Sequence, residues 1–421
     1  MVAGLEPKSD MNQRRGQLQT CATFNVSFAS RTRKCERLSV AALASRLYVK
    51  KMQASPRPLS IQTAKNSSVH PYHFEKGKFI GGFASEDVLE NARMPGIPSP
   101  RDIPLTDSPR PNRRYEGRYL FAGPLWNHFG HVLVDCIHRL WALLEKPDRY
   151  EAIVFANVQN LRARSVPQIP SFVPPLLDLM GLPAIPIIFV DEATEFEILD
   201  IPELGSIYKI GLSPAYRPYL KRYQEAITKR TALFREKTPT RIFYGRGHAL
   251  RDGGVIGSSY FEKSLKHAGF LSCVPEDLSL RLQFAYLLQA EEIIFEEGSS
   301  IHLTELLHEV KSNVRILPRR PNPHVFQTAL TPRCSVYQVL AKPNNIIQLP
   351  DRNGNMSPAS LTFYKDHEAV YNELSKIFDL PDFDKSLYET LELRDLKAAP
   401  VKSPSILKQR LNMIRNYREE T

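Results

Sequence analysis

Cysteine is sparse, with five residues in a chain of 421: Cys21, Cys35, Cys136, Cys273 and Cys334. No CxxC pair occurs, which excludes the common structural zinc modules. Free thiols in a reducing compartment are the expectation. Long apolar runs are also missing. No stretch of about 18 apolar residues is present, so no segment reads as a membrane span. The opening MVAGLEPKSDMNQRRGQ has no apolar core of the signal-peptide kind, and the cytoplasm is the expected location. Net positive charge is small in the body of the chain. The formal net charge is +11 and the pI about 9.3, but residues 1–60 hold eleven Lys/Arg against three Asp/Glu and carry +8 of it. The remaining +3 excludes a nucleic-acid-binding body and leaves at most a basic arm.

What is present is an ordinary globular composition, 42% hydrophobic and 24% charged, long enough for two domains. Residues 1–68 mix Arg, Ser, Gln and Thr with short apolar patches such as Ala41 to Leu47. They read as a largely disordered basic arm with one amphipathic helix, suited at most to a peripheral contact with the inner face of a membrane. His73 to Asn112 is turn-rich, with Pro95, Pro98, Pro100, Pro104, Pro109 and Pro111 breaking any period, and reads as a long connection or an irregular strand region.

Order is expected from Tyr115. RYLFAGPLW reads as strand and turn, and HVLVDCIHRLWALLEK as one helix. AIVFAN (152–157) and AIPIIFVD are buried-type strands separated by a helix at 171–182, the pattern of a parallel, helix-covered sheet. A charged amphipathic helix at 220–237 connects to a second series. That series runs through strand 241–246, helix 259–270, a short strand LSCVP, helix 278–291, strand 292–297, helix 301–310 and strand 314–319. The expected architecture is therefore α/β, with two Rossmann-like domains (69–219 and 220–345). Helices and a polar tail (346–421) are expected to pack back on the first half.

Three stretches carry candidate chemistry. In NHFGHVLVDCIHRLW, the residues His128, His131, Asp135, His138 and Arg139 lie on an otherwise apolar helix and are costly to bury unless paired or placed in a cleft. The competing reading is an Asp135–Arg139 ion pair with histidines that satisfy backbone groups. In RIFYGRGHALRDGG, Arg246 stands at the C-terminal edge of a strand, where open α/β sheets bind ligands and where a guanidinium forks onto a diphosphate. In EIIFEEGSSIHLTELL, Gly298 permits a tight turn, and Ser299, Ser300 and the following backbone N–H groups offer donors to an anion. A plain strand-to-helix turn with a serine cap is the alternative there.

These stretches resemble glycosyltransferase family 61 in its bacterial, capsular-polysaccharide branch. The likeness covers roughly residues 115–320. The family signature of Asn-aromatic-x-His, an acidic residue and Pro-Arg-Leu is similar to Asn127, Phe129, His131, Asp135, Arg139 and Leu140; the strand-ending arginine is similar to Arg246. Gly269, Phe270, Pro275, Glu276, Leu278, Ser279, Gln283 and Ala290 follow the family's most regular stretch. Two positions depart from it: Glu297-Gly298-Ser299 stands where His-Gly-Ala is frequent, and His138 replaces the usual proline.

The resemblance implies a GT-B-like fold and an inverting transfer of a sugar from a UDP-linked donor to a glycan or lipid-linked glycan acceptor. The general base would be His131 or Asp135. The donor diphosphate would lie on Arg246, Gly298, Ser299 and Ser300, and the nucleoside on Glu297 and His302. Asn127, His128 and Arg139 would face the acceptor. With no DxD-type motif in the donor half, neither a metal nor a resident cofactor is expected. Two rivals stand beside this reading: a nucleotide-sugar epimerase on a similar fold, and a non-catalytic binding protein of polysaccharide assembly.

Overall fold

The first strand, β1 (Ile61–Glu75), begins inside the segment that reads as an unstructured arm, and this corrects the expectation for residues 61–68. Its polar residues are held because both of its edges are paired. On one side it forms a hairpin with β2 (Lys78–Ala84) through Lys76 and Gly77, whose φ angles of 47° and 81° match a turn that follows the strand twist. On the other it pairs with a later strand, and Thr63 Oγ1 donates to Asp200 over 2.7 Å. The structure, a computed structural model, describes residues 57–84, 89–96, 100–105, 109–159 and 168–419. The Ala41–Leu47 helix and the basic arm up to residue 56 lie outside the described residues.

The strands β3 (Asp102–Ile103), β4 (Arg113–Leu125), β5 (Ala152–Asn157), β6 (Ile187–Val190) and β7 (Thr194–Pro202) complete a seven-stranded sheet in the order β3-β2-β1-β7-β4-β5-β6. Only β1 runs against the others. The first half is thus a mixed sheet rather than an all-parallel one. A short hairpin, β8 (Ser206–Ile207) with β9 (Gly211–Leu212), follows.

Where one helix was expected after β4, there are α1 (Phe129–Asp135), a 3₁₀ turn at Ile137–Arg139, and α2 (Trp141–Glu145). The break has a local cause. The Asp135 carbonyl accepts Arg139 Nη1 at 2.6 Å, so the Arg139 backbone N–H turns instead to Cys136 O, one residue short of the α-helical partner. Helix α3 (Val173–Leu179) links β5 to β6, and α4 (Arg217–Arg230) leads to the second half.

There β10 (Arg241–Tyr244), β11 (Leu271–Cys273), β12 (Glu292–Glu296), β13 (Val310–Leu317) and β14 (Cys334–Val339) form an all-parallel sheet in the order β11-β10-β12-β13-β14. Helices α5 (Ser258–His267) and α6 (Leu280–Gln289) cross between them. The half-exposed edge strand β14 was not expected. Nor was the 3₁₀ geometry of Ser299–Leu306, read above as a helix reaching residue 310; Thr304 Oγ1 donates to Ile301 O, and β13 begins at Val310. The short helix α7 (Gln327–Leu330) precedes β14.

The C-terminal region adds the hairpin β15 (Ile346–Leu349) and β16 (Leu361–Tyr364), then α8 (His367–Ser375), α9 (Lys385–Ala398) and α10 (Pro404–Glu419). These elements cover the second sheet, not the first half as expected. The reason is the aromatic face of α5: Tyr260 and Phe261 pack with Tyr364, Tyr371 and Tyr388, and Asp395 accepts from Gly257 N and Ser259 Oγ. The largest core is continuous between the halves. It joins Leu120, Val132, Leu133 and Phe155 of the first to Ile242, Phe295, Leu303 and Ile316 of the second through Leu220 and Tyr223 of α4. Among the described residues no helix is long and apolar enough to cross a membrane.

Candidate functional site

In the second sheet β10 and β12 are neighbours, and the chain departs from them to opposite sides. This is the strand-order reversal outside which open α/β sheets bind ligands. Arg246, Glu296, Glu297 and Gly298 lie at the ends of these two strands. Glu296, buried, organises the loop after β10 by accepting from Arg246 N (2.9 Å), Val255 N (2.9 Å) and Ser258 Oγ (2.6 Å). The Arg246 guanidinium crosses Gly298, where a Cβ would stand 2.7 Å from its Nη1; the glycine is there for this close approach. Arg246 Nη2 reaches only the Gly253 carbonyl at 3.4 Å, and its buried Nε has no partner among the described residues.

Beside them, at the end of β13, come Arg319 and Arg320. Their backbone N–H groups both donate to Glu297 Oε2, at 2.9 and 3.1 Å, and Arg320 Nη1 stands 3.4 Å from Glu297 Oε1. Glu297 is 1% exposed and holds this turn. Burial, then the charges of Arg320 and Arg246, lower the Arg319 pKa to about 10, so the group stays cationic at neutral pH.

The facing wall comes from the first half. Gly130 of α1 lets the 3₁₀ segment approach; a Cβ there would lie 3.1 Å from Ser299 Oγ and 3.2 Å from His302 Cδ2. One residue on, His131 Nδ1 is 3.0 Å from Asp135 Oδ2, and its ring stacks on Trp126 at 4.5 Å. Asp135 is 1% exposed, and its other oxygen accepts Arg101 Nη2 at 2.7 Å. Burial opposes ionisation of Asp135, but the hydrogen bond with His131 and the charge of Arg101 outweigh it and hold its pKa below the usual value. With Nδ1 taken by the carboxylate, His131 is left with Nε2. His128 caps α1. Although the residue is exposed, desolvation by the cleft and then the charges of His131, His302 and Arg246 push its pKa down to about 4.

A second carboxylate-held histidine stands across from the first. His302 Nδ1 is 2.6 Å from Glu305 Oε1, and the ring is lined by Phe326 and Tyr208. His138 Nε2 lies 3.8 Å from the other Glu305 oxygen, while its Nδ1 meets Tyr216 Oη at 3.2 Å. Burial alone would raise the Glu305 pKa; the two histidines outweigh it and hold the carboxyl well below its normal range.

The cleft so formed has a volume of about 320 Å³ and gathers His128, His131, Arg246, Glu297, Gly298, Ser299 and His302 of the expected residues. The others stand elsewhere. Asn127, exposed, and Ser300, half-buried, both lie outside the cleft lining. Arg139 is buried on the carbonyls of Asn91 and Asp135, so it does not face the acceptor. The Asp135–Arg139 contact is made through the Asp135 backbone, not its carboxylate. The lining residues that were not anticipated include Arg101, Tyr208, Asp252, Arg319 and Arg320. The strand-end argument that singles out Arg246 applies equally to Arg319; Arg101, in a proline-rich stretch, carries no such signal. Among the described residues no group of three or more His, Cys, Asp or Glu is arranged to hold a metal ion. No family model matches the chain, and no curated protein matches it.

Proposed function

We propose that the chain is an inverting glycosyltransferase of GT-B-like arrangement, related to family 61, that moves a sugar from a nucleotide-sugar donor to a glycan acceptor without a metal ion. One observation carries this reading: an aspartate-held histidine on one wall of a cleft faces, on the other, three arginines at and beside the strand-order reversal of a parallel sheet. His131 serves as general base rather than Asp135, because both Asp135 oxygens are engaged and the group is buried. His131 Nε2 takes the proton of the acceptor hydroxyl, whose oxygen bonds to the anomeric carbon while the bond from that carbon to the diphosphate oxygen breaks. Asp135 stabilises the imidazolium. The electron pair leaves on the diphosphate, whose charge Arg246 and Arg320 neutralise, with the Ser299 hydroxyl as a further donor and the cation of Arg319, held on the Glu297 and Pro358 carbonyls, behind them.

The test is a thermal-shift screen against nucleoside diphosphates, with and without EDTA. Stabilisation by one nucleotide series, UDP first, is expected to survive EDTA. Arg246→Ala is expected to weaken that nucleotide by about 10- to 100-fold, the range of a charge-assisted contact. Absence of any shift across the panel would favour a non-catalytic scaffold. Conversion of a nucleotide sugar without acceptor would instead indicate an epimerase.

A further inference from the structure

A second cavity, of about 460 Å³, adjoins the first. Arg101 and Tyr208 line both, and Asp135 lines the second while its partner His131 lines the first. The base and its carboxylate therefore straddle the wall between them. The second cavity has two kinds of lining. One is aromatic. Phe79 packs edge-on against Trp126 at 4.7 Å, and Trp126 stacks on His131, so an aromatic path runs from this cavity to the base. On the far side Tyr208 lies under Lys209 Nζ, 5.2 Å from the ring centre. The other is cationic. Among the described residues, Lys78, Arg101 and Lys209 share this lining with a single carboxylate, that of Asp135, which is already paired with Arg101 and His131. Lys78 Nζ is held by the Pro100 carbonyl at 3.2 Å, and Lys209 sits at φ 67°, a conformation unfavourable for a lysine.

Flat apolar rings beside fixed cations suit a sugar ring that carries a negative charge: the ring stacks, and the charge meets the ammonium groups. We propose that this cavity is the acceptor subsite and that it takes an acidic saccharide whose pyranose ring bears a carboxylate. The word acceptor rests on the glycosyltransferase reading; the ligand class rests on the cavity. An acceptor seated there extends past Arg101 and Tyr208, which line both cavities, so that its hydroxyl meets His131 Nε2 in the first.

The test is calorimetric titration of the full chain with trigalacturonate, with a neutral galactose trisaccharide, with glucose 1-phosphate and, separately, with UDP. Trigalacturonate is expected to bind at least about ten-fold more tightly than the neutral trisaccharide. The double variant K78Q/K209N, in which asparagine tolerates the left-handed turn, is expected to lose about ten-fold toward trigalacturonate and to keep its affinity for UDP. Equal binding of acidic and neutral sugars, or an unaffected double variant, overturns the inference. So does binding of glucose 1-phosphate alone. Binding of UDP without trigalacturonate overturns this inference and leaves the transferase reading standing; trigalacturonate binding without any nucleotide does the reverse.

Discussion

Asp135 acts through His131, and the two residues should fail differently when changed. His131→Ala is expected to lower turnover by about 10²- to 10⁴-fold, the usual weight of a general base, with UDP affinity unchanged. Asp135→Asn keeps the shape of the site but loses the charge partner of Arg101 and the stabilisation of the imidazolium. Its turnover is expected to fall less than that of His131→Ala, together with a loss of stability, because Arg101 is left half-paired. Paired kcat and unfolding measurements on both variants check this. An equal loss of turnover with no loss of stability would contradict the assigned roles. Arg139 and Glu297 illustrate the limit of reading charges from sequence. Each lies in a stretch that does reach the cleft, yet Arg139 is spent on carbonyls and Glu297 on two backbone N–H groups. Residue type and spacing show that a charge must be satisfied; they do not show whether a ligand or the chain's own backbone satisfies it.

The elements differ in how openly they announce themselves. The second parallel sheet was legible from β10 to β13, because buried strands and amphipathic helices alternate there with glycine and serine at their ends. β1 was not, because its polar residues are stabilised on one edge by β7, far away in sequence. The break after α1 also escaped the period of the apolar residues, since its cause is one side chain competing for one carbonyl. The element contact with the sharpest consequence is that of α1 with Ser299–Leu306. Gly130→Leu must push Ser299 and His302 away, and is expected to destabilise the protein by about 1–3 kcal/mol. It should also weaken nucleotide binding, since the displaced turn carries Gly298 and its crossing arginine. Denaturant midpoints and a UDP titration read the two effects; a stable variant with normal UDP affinity would show that the contact at Gly130 does not set the cleft.

The whole molecule should be acid-labile in two stages. Burial, then the charge of Arg418, lowers the His367 pKa from 6.5 to about 4, and the ring stacks on Tyr388 at 4.1 Å. Between these two values the unfolded chain binds the proton that the folded chain refuses, so stability falls as pH drops from 6.5 toward 4 and is flat above. His128 contributes in the same window and direction. Glu305 and Asp135, with depressed folded values, add a second loss that begins only below their ordinary carboxylate range. Urea midpoints from pH 8 to 3 check the sequence of events, and His367→Phe should flatten the first stage.

The shared core gives the molecule a further property. Leu220 and Tyr223 of the connecting helix are packed from both sides, so a recombination joint placed in that connection would separate apolar surfaces that fit each other. A hybrid with a foreign second half would inherit mismatched packing beneath the cleft. Specificity on the two walls is therefore expected to drift together in descendants of this chain, by point substitution around a common floor, instead of being reshuffled by exchange of modules.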